Sequence, residues 1–566
     1  MVSYRSIWKK AILLPPLLFA LWLLTDNDTS ESSIDHHLAV VTALRRNPPS
    51  LRVYRSLLEI NLVLWGTVLS LFVWSRTLGT KMVGHLLFRP ATEQLPKHQS
   101  LYQPVVTAEA DELWDTEEDF VGGASAGRQK ERFSMAVEEA LDADYDSDGE
   151  VVAPLPVTHD PPSAASVASA ALDSLLLILI SLFFFTLSSA EGGRYVDGMA
   201  KLNTFKFIAL AAAPMFPLVL VIAGIAVVIF PWSKRREFWT ILSFTISAPC
   251  YDVTFRDGFI GDILTSSVRP LQDTAFTIFY FVSGLRGWWS QTYDLDSADL
   301  PLEKSWMLHT VVLPMCMVSP LWWRFLQNLR QSYDAKKRWP YLGNALKYFV
   351  AAEVAMFGVF NPAHKQTILW LSCFVLATLY QVWWDVFMDW ELIVVDSSGV
   401  RLRRTRVYPY AWIYWTIFAI NFVLRFCWTL SFLPPHYLNQ AGVLSATFEG
   451  DLSHILEPTI ASAEIIRRTL WGLLRVEMEA IKVGRKDPWL KGQWADLESD
   501  NETKVNLKSM KVESMEDLEP SVAVTGVWIS SEMSTLSDLQ ILGELCLWAT
   551  IFASLGLVAA AHRLTL

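Results

Sequence analysis

The sequence predicts an all-α polytopic membrane protein, a bundle of about ten transmembrane helices with a further helix near the C-terminus. Only 19% of its 566 residues are charged and 52% are hydrophobic, whereas about a quarter of the residues in soluble globular domains are charged. This composition excludes a disordered chain and argues against an ordinary soluble enzyme. With a net charge of −11, no nucleic-acid partner is expected.

Eleven windows meet or approach the length of about 20 mainly apolar residues that a helix needs to cross a bilayer. They lie at 9–25, 57–77, 170–190, 205–231, 258–284, 306–329, 343–361, 365–388, 408–432, 451–475 and 540–562. If the N-terminus is cytosolic, alternation places the basic segments 233–237, 330–338 and 401–406 in the cytosol, as the positive-inside rule requires. The last window is then an additional crossing.

Two long polar stretches interrupt the apolar windows. Residues 91–169 carry 17 acidic and 4 basic side chains and predict a disordered cytosolic loop, because they bury too little apolar area to offset the entropy of ordering. Residues 484–537 predict a cytosolic linker. The expected regions are 1–90 with two helices, the acidic loop 91–169, 170–250 with helices three and four, 251–483 with the main bundle, the linker, and 538–566 with the C-terminal helix.

The five cysteines are scattered in or beside apolar segments and form no CxxC pair. Without clustering they indicate neither a disulfide framework nor a zinc site, and they are interpreted as small buried hydrophobic residues. No metal site, cofactor or catalytic residue is predicted, and the chain is not expected to be an enzyme.

Nine ionisable residues lie inside the apolar windows: Asp262, Arg324, Lys347, Asp385, Asp389, Arg425, Glu464, Arg467 and Arg468. Insertion scales assign roughly 2.5–3.5 kcal/mol to each charge at a helix centre, so most of them must face one another or a water-filled cavity. Glu464 shares a helical face with Arg467 and Arg468, because they are three and four residues apart.

The bases in this set point to a site for an anion. A guanidinium holds an oxyanion through two parallel hydrogen bonds and stays charged at any relevant pH. Neighbouring acids would hold the bases in place and keep binding weak enough for release. Spacing alone leaves a second interpretation open, in which the charges form a lock of ion pairs without a ligand.

Six motifs follow one another between about Asp252 and Lys482. They are GDILTS (261–266), WWRFLQNLR (322–330), KRWPYLGNALKY (337–348), WWDVFMDW (383–390), LRFCW (424–428) and AEIIRR (463–468). In their order and spacing this region resembles the EXS-domain family, phosphate exporters of the xenotropic and polytropic retrovirus receptor and Erd types. A weaker likeness extends upstream to LRVYRSLLEINLVLWG (51–66).

The resemblance implies ten helices, of which the last six surround a phosphate pathway within 251–483. The implied phosphate contacts are Arg324, Lys347, Tyr348, Arg425, Arg467 and Arg468. The implied acidic partners are Asp262, Asp385, Asp389 and Glu464. Trp428 would form a gate or constriction together with Thr265, which stands where some relatives carry asparagine.

Some features depart from the family. The acidic loop and the helix at 540–562 lie outside its common pattern. Larger exporters carry an N-terminal SPX domain that senses inositol pyrophosphates, and the sequence predicts none here, only a short segment before the first span.

Two functions are consistent with these observations. The first is an inorganic phosphate exporter, acting as a channel or a carrier without a covalent intermediate. The second is a non-transporting Golgi scaffold that retains glycosyltransferases through a retention adaptor. A transferase acting on phosphorylated lipids is less well supported, because no nucleophile and base stand at suitable spacing. The expected location is the Golgi or another endomembrane, with the plasma membrane as the alternative, and the resemblance implies a homodimer.

Overall fold

The computed structural model of the chain describes residues 4–26, 49–88, 161–188, 215–289, 305–360, 368–396, 399–403, 405–427, 453–486, 533 and 536–564. These residues are almost entirely helical, as predicted. The acidic loop 91–169 and the linker 484–537 lie mostly outside them. A helix begins at Ala164, inside the stretch predicted as a loop and ahead of the predicted boundary at 170.

The described α-helices are named here in chain order. They are α1 (Tyr4–Ala11), α2 (Leu14–Asp26), α3 (Pro49–Thr77), α4 (Thr80–Leu87), α5 (Ala164–Ser188), α6 (Met215–Ile229), α7 (Trp232–Ile246), α8 (Phe255–Ser266), α9 (Val268–Trp289), α10 (Leu313–Ala335), α11 (Tyr341–Phe360), α12 (Ile368–Trp384), α13 (Ala411–Arg425), α14 (Ser453–Lys486) and α15 (Asp538–Leu564). Two π-helical segments, Met307–Val312 and Asp385–Asp389, precede α10 and follow α12.

Among the described residues, four helical segments are long and apolar enough to cross a membrane, and a fifth is added if one bent pair counts as a single span. They are Val53–Thr77, Ala164–Leu187, Ile368–Asp389 and Asp538–Val558, and the bent pair joins α6 to α7 at 83°. The chain therefore has the character of an integral membrane protein, but the predicted number of about ten spans is not confirmed.

Charges and breaks explain why fewer segments pass this test than were predicted. The window at 258–284 is divided at Ser267 into α8 and α9, and α13 has only 15 residues. Helix α14 covers the window at 451–475 but carries several charged side chains. Charges that face a protein interior lower the hydropathy of a helix without removing it from the bundle.

The largest core cluster joins α3, α8, the end of α12 and α14. Trp390 and Trp471 are fully buried in it, and the indole Nε1 of Trp390 donates to the backbone oxygen of Trp471 at 3.2 Å. Phe259 of α8 stacks on Trp471 with ring centroids 5.9 Å apart. This packing holds together helices that carry many of the predicted site residues.

A short antiparallel hairpin joins α12 to α13. Strand β1 (Ile393–Asp396) pairs with β2 (Gly399–Leu402), and Ile393 faces Leu402 in the register. Directly after β2, the buried Arg403 forms an ion pair with Glu477 of α14 at 2.8 Å. The hairpin, which the sequence analysis did not predict, is thereby fixed to α14.

The C-terminal helix α15 packs against α10 and α11. The ring of Phe552 lies 4.8 Å from Trp322 and Phe325 and 5.3 Å from Phe349, measured between ring centroids. Near the start of α15, Glu544 forms an ion pair with Arg338 at 2.7 Å. Helix α15 therefore packs on the two helices that contribute Arg324, Lys347 and Tyr348 to the predicted site.

Helices α3 and α14 cross closely at Gly66. A Cβ atom built there would approach Oγ1 of Thr469 to within less than the 3.0 Å that real Cβ contacts respect. We expect Gly66→Ala to lower the melting temperature, because the helices would have to separate. Gly224→Ala is the control, since nothing lies within 4 Å of a Cβ at that position. Thr469→Ala removes the obstructing atoms and should restore the stability of Gly66→Ala. Equal melting of the Gly66→Ala and Gly224→Ala variants would contradict this packing.

Candidate functional site

The structure brings the nine ionisable residues predicted from the sequence into one cluster. They come from α8, α10, α11, α13, α14 and the π-helical segment Asp385–Asp389. The set contains five bases and four acids, and its members are joined by the contacts described below. None of these contacts could be assigned from sequence spacing except those within α14.

The first group surrounds Asp262 of α8. The guanidinium of Arg324 donates from Nε to Oδ1 of Asp262 at 3.0 Å and from Nη2 to Oδ2 at 3.2 Å. The Tyr348 hydroxyl donates to the same carboxylate, and Nη1 of Arg324 donates to Oε1 of Gln327 at 2.6 Å. The charge of Arg324 is thus matched by a bidentate acid, and both residues are buried.

The second group surrounds Asp385, which has no exposed surface. Arg425 donates from Nη2 to Oδ1 of Asp385 at 2.9 Å and from Nε to Oδ2 at 3.1 Å. Nη1 of Arg425 donates to Gln381, and Nδ2 of Asn421 donates to Oδ2 of Asp385 at 3.1 Å. This network links α12 to α13 at the π-helical segment.

Arg467 joins the second group to Glu464. Its Nε donates to Oε2 of Glu464 at 2.7 Å, and its Nη1 donates to Oδ1 of Asn421 at 3.1 Å. Nη1 also lies 3.8 Å from Oδ2 of Asp385. Arg467 is completely buried and lies between two carboxylates.

Arg468 differs from its neighbour, because its hydrogen bonds to described residues go to hydroxyl groups. Nε donates to Oγ of Ser266 at 2.7 Å and Nη2 donates to Oγ1 of Thr265 at 3.2 Å. The guanidinium also lies over the ring of Trp471, 4.5 Å from the centroid. The residue is 9% exposed, so its charge is buried with hydroxyl partners rather than a carboxylate.

Lys347 is the second base without a hydrogen bond to an acid among the described residues. Its Nζ lies 3.9 Å from Oδ2 of Asp389, which is beyond hydrogen-bonding distance. The ammonium lies over two aromatic rings, 4.7 Å from the centroid of Tyr348 and 5.5 Å from that of Trp384. Asp389 instead accepts from Nε1 of Trp471 at 3.3 Å.

A cavity of about 280 Å³, named here the central cavity, opens among these residues, and its wall combines charged side chains with apolar ones. The predicted site residues that line it are Thr265, Lys347, Tyr348, Arg425, Glu464 and Arg468. The members of the cluster that do not line the cavity are Asp262, Arg324, Asp385, Asp389 and Arg467. Trp428 lies outside the described residues, and its role as a gate stays a prediction.

Neutral polar side chains complete the cluster and were missed by the sequence analysis, which counted charges only. Gln327, Gln381 and Asn421 each contact an arginine. Gln381 precedes Asp385 by four residues, and Asn421 precedes Arg425 by the same interval. Residues four apart share a helical face, so this spacing was the available signal.

The arrangement can hold an anion. Three arginines are matched by carboxylates, while Lys347 and Arg468 present donors to the central cavity. No group of histidine, cysteine and acidic side chains suited to a metal lies among the described residues. A cavity with two such cations beside it favours a small oxyanion, because guanidinium and ammonium groups donate charge-assisted hydrogen bonds.

Comparison with known proteins places the cluster in a family. The EXS family profile matches residues 50–481. The chain belongs to the EXS family. The match runs from α3 to α14 and so includes every helix that contributes to the cluster, whereas α1, α2 and α15 lie outside the matched residues.

Three relatives show the extent of the similarity. SPX and EXS domain-containing protein 1 of Dictyostelium discoideum is 33% identical over 283 residues, 48% of this chain and 28% of the relative. Phosphate transporter PHO1 homolog 9 of Arabidopsis thaliana is 30% identical over 279 residues, 47% of this chain and 32% of the relative. Solute carrier family 53 member 1 of Homo sapiens is 28% identical over 262 residues, 43% of this chain and 36% of the relative. This EXS protein thus matches about a third of the length of each relative.

Proposed function

We propose that this EXS protein transports inorganic phosphate across a membrane through the central cavity, in the direction of export. The observation that carries the proposal is the placement of Lys347 and Arg468. Both bases are buried, both line the central cavity, and neither has a carboxylate at hydrogen-bonding distance among the described residues. A buried cation without a hydrogen-bonded acid is costly, and a bound oxyanion would supply that partner.

The remaining bases divide by their surroundings. Arg425 lines the cavity, and its guanidinium donates hydrogen bonds to Asp385. In this proposal the side of the guanidinium that faces the cavity would attract phosphate. Arg324 and Arg467 are occupied by Asp262 and Glu464. In this proposal they fix the acids and the helices from behind the cavity wall, and they would contact phosphate only after those pairs rearrange.

The acid in the cavity wall would limit how tightly phosphate binds. Glu464 lines the central cavity and also accepts a hydrogen bond from Ser266 at 2.6 Å. Since Ser266 in turn accepts from Arg468, the carboxylate and the guanidinium share one hydroxyl. A transport site must bind its substrate weakly enough to release it, and a nearby negative charge has this effect on an anion.

The family and its relatives support phosphate as the substrate. One relative bears the name of a phosphate transporter, and the family match covers all helices of the cluster. The transport domain would be residues 251–483. The Golgi scaffold has no support in the comparisons and is not proposed; the Golgi location and the homodimer remain expectations.

Phosphate release from proteoliposomes tests the proposal. The purified chain should release entrapped phosphate, and the Arg467→Ala/Arg468→Ala variant should lose that release, because one substitution removes a cavity cation and the other the partner of Glu464. Arg475→Ala is the matched control, since Arg475 lies on the same helix and pairs with Glu479 at 3.2 Å. Normal flux in the double variant would refute the assignment of these arginines, and absence of flux in the unmodified chain would refute transport.

A further inference from the structure

A second cavity, named here the lateral cavity, lies beside the cluster and shares Arg468 with the central cavity. It measures about 270 Å³ and is bounded by α3, the end of α4, α7, α8 and α14. Most of its wall is apolar, with side chains such as Leu71, Phe259 and Ile465. We propose that the lateral cavity binds one acyl chain of a bilayer phospholipid, and that this chain keeps water from the back of Arg468.

The shape and chemistry of the wall favour a hydrocarbon occupant. Apolar cavities of about 150 Å³ stay dry and take up apolar molecules, because water there would lose its hydrogen bonds and an empty space forfeits packing contacts. The lateral cavity is larger than this and lies among membrane helices. In that setting the acyl chains of lipids are the abundant apolar molecules.

The outer edge of the cavity is continuous with apolar surface that lipid would cover. Phe238 of α7 lines the cavity and is 52% exposed. On α3, Leu69 directly precedes the lining residue Ser70 and is also exposed. We therefore expect a chain from the surrounding bilayer to enter beside the exposed ring of Phe238.

A buried donor in the wall gives a second and independent indication of a ligand. Trp74 lines the cavity and is 4% exposed, and its indole Nε1 has no hydrogen-bond acceptor among the described residues. A buried donor left without an acceptor destabilises a fold. A hydrocarbon chain alone would not provide an acceptor, whereas the ester oxygens of a phospholipid would.

Arg468 gives the site a consequence for the cluster. It lines both the central and the lateral cavity, so its guanidinium forms part of the partition between them. With an acyl chain in the lateral cavity, water would reach this guanidinium only from the central cavity. Electrostatic attraction strengthens as the local dielectric falls, so a bound lipid would strengthen the pull of Arg468 on an anion in the central cavity.

Photochemical crosslinking tests the site directly. The full chain is placed in phosphatidylcholine nanodiscs doped with a phosphatidylcholine that carries a diazirine on its acyl chain. After illumination, mass spectrometry should find adducts on cavity-lining residues of α3 and α8. Ser70→Phe and Val63→Phe each place a ring in the cavity and should lower the yield of these adducts severalfold.

Leu69→Phe is the matched control, because it adds a ring to the same helix on the surface outside the cavity. It should leave the adduct yield unchanged. The melting temperature of each variant shows whether it is folded, and either filling variant suffices if the other is not. Equal yields in the filling variants, or adducts confined to Leu69 and Phe72, would mean that lipid only surrounds the protein and would overturn the proposal.

Discussion

Replacing Lys347 with glutamine is expected to weaken phosphate binding by roughly tenfold to a hundredfold, while the protein stays folded. Lys347 has no hydrogen bond to a described residue and lies 3.9 Å from a carboxylate oxygen of Asp389, so the substitution breaks one long ion pair and no hydrogen bond. A hydrogen bond to a charged group contributes about 1.5–3 kcal/mol, and every 1.4 kcal/mol is about a factor of ten in affinity. Concentration dependence of phosphate flux in proteoliposomes, with the melting temperature of the same preparation, measures both effects.

The matched control is Lys482→Gln. Lys482 pairs with Glu391 at 2.6 Å and is 39% exposed. Its substitution removes the same charge from the surface and should leave phosphate flux unchanged. Lys347→Arg keeps the charge with a different geometry and should retain part of the affinity. An unaltered concentration dependence in Lys347→Gln would show that this ammonium does not meet the substrate.

Replacing Asp385 with asparagine is expected to cause the largest loss of stability among single substitutions in the cluster. The carboxylate is fully buried and accepts hydrogen bonds from Arg425 and Asn421, with Arg467 also nearby at 3.8 Å. Removing one partner of a buried ion pair costs about 3–5 kcal/mol, because the other charge is left uncompensated. That is a large part of the roughly 5–15 kcal/mol by which native proteins are stable.

Thermal unfolding of purified variants provides the measurement. Asp334→Asn is the control, since Asp334 pairs with Arg330 at 2.9 Å on the surface and exposed pairs contribute only about 0–1 kcal/mol. The double variant Asp385→Asn/Arg425→Gln removes both charges of the main pair and should recover part of the lost stability. If Asp385→Asn and Asp334→Asn melted alike, the buried network would not hold these helices together.

The two predictions separate residues that the sequence placed in a single class. Charge inside an apolar window identified Lys347 and Arg467 equally well, because insertion into a membrane penalises both. The structure distinguishes them by their partners: Arg467 lies between Glu464 and Asp385, whereas Lys347 lies over aromatic rings. Partner choice depends on which helices touch, and no local pattern reports that.

The positions of the helices could also be predicted only in part from the sequence. The windows located most of the described helices, although not α4 or α7, because apolar length is a local property of the chain. They did not predict the break between α8 and α9, the π-helical segment that carries Asp385 and Asp389, or the hairpin β1–β2. The hairpin is held by a contact with a distant residue, the ion pair of Arg403 with Glu477.

By itself the sequence determined the helical membrane class, the family and the set of buried charges, because composition, apolar length and motif order are written along one chain. Only the tertiary structure decided which bases are matched by acids, which face the central cavity, and that a second, apolar cavity adjoins Arg468. The physical reason is that the free-energy cost of burying a charge is offset by groups that are its neighbours in space. Those neighbours come from helices as far apart in the sequence as α8 and α14.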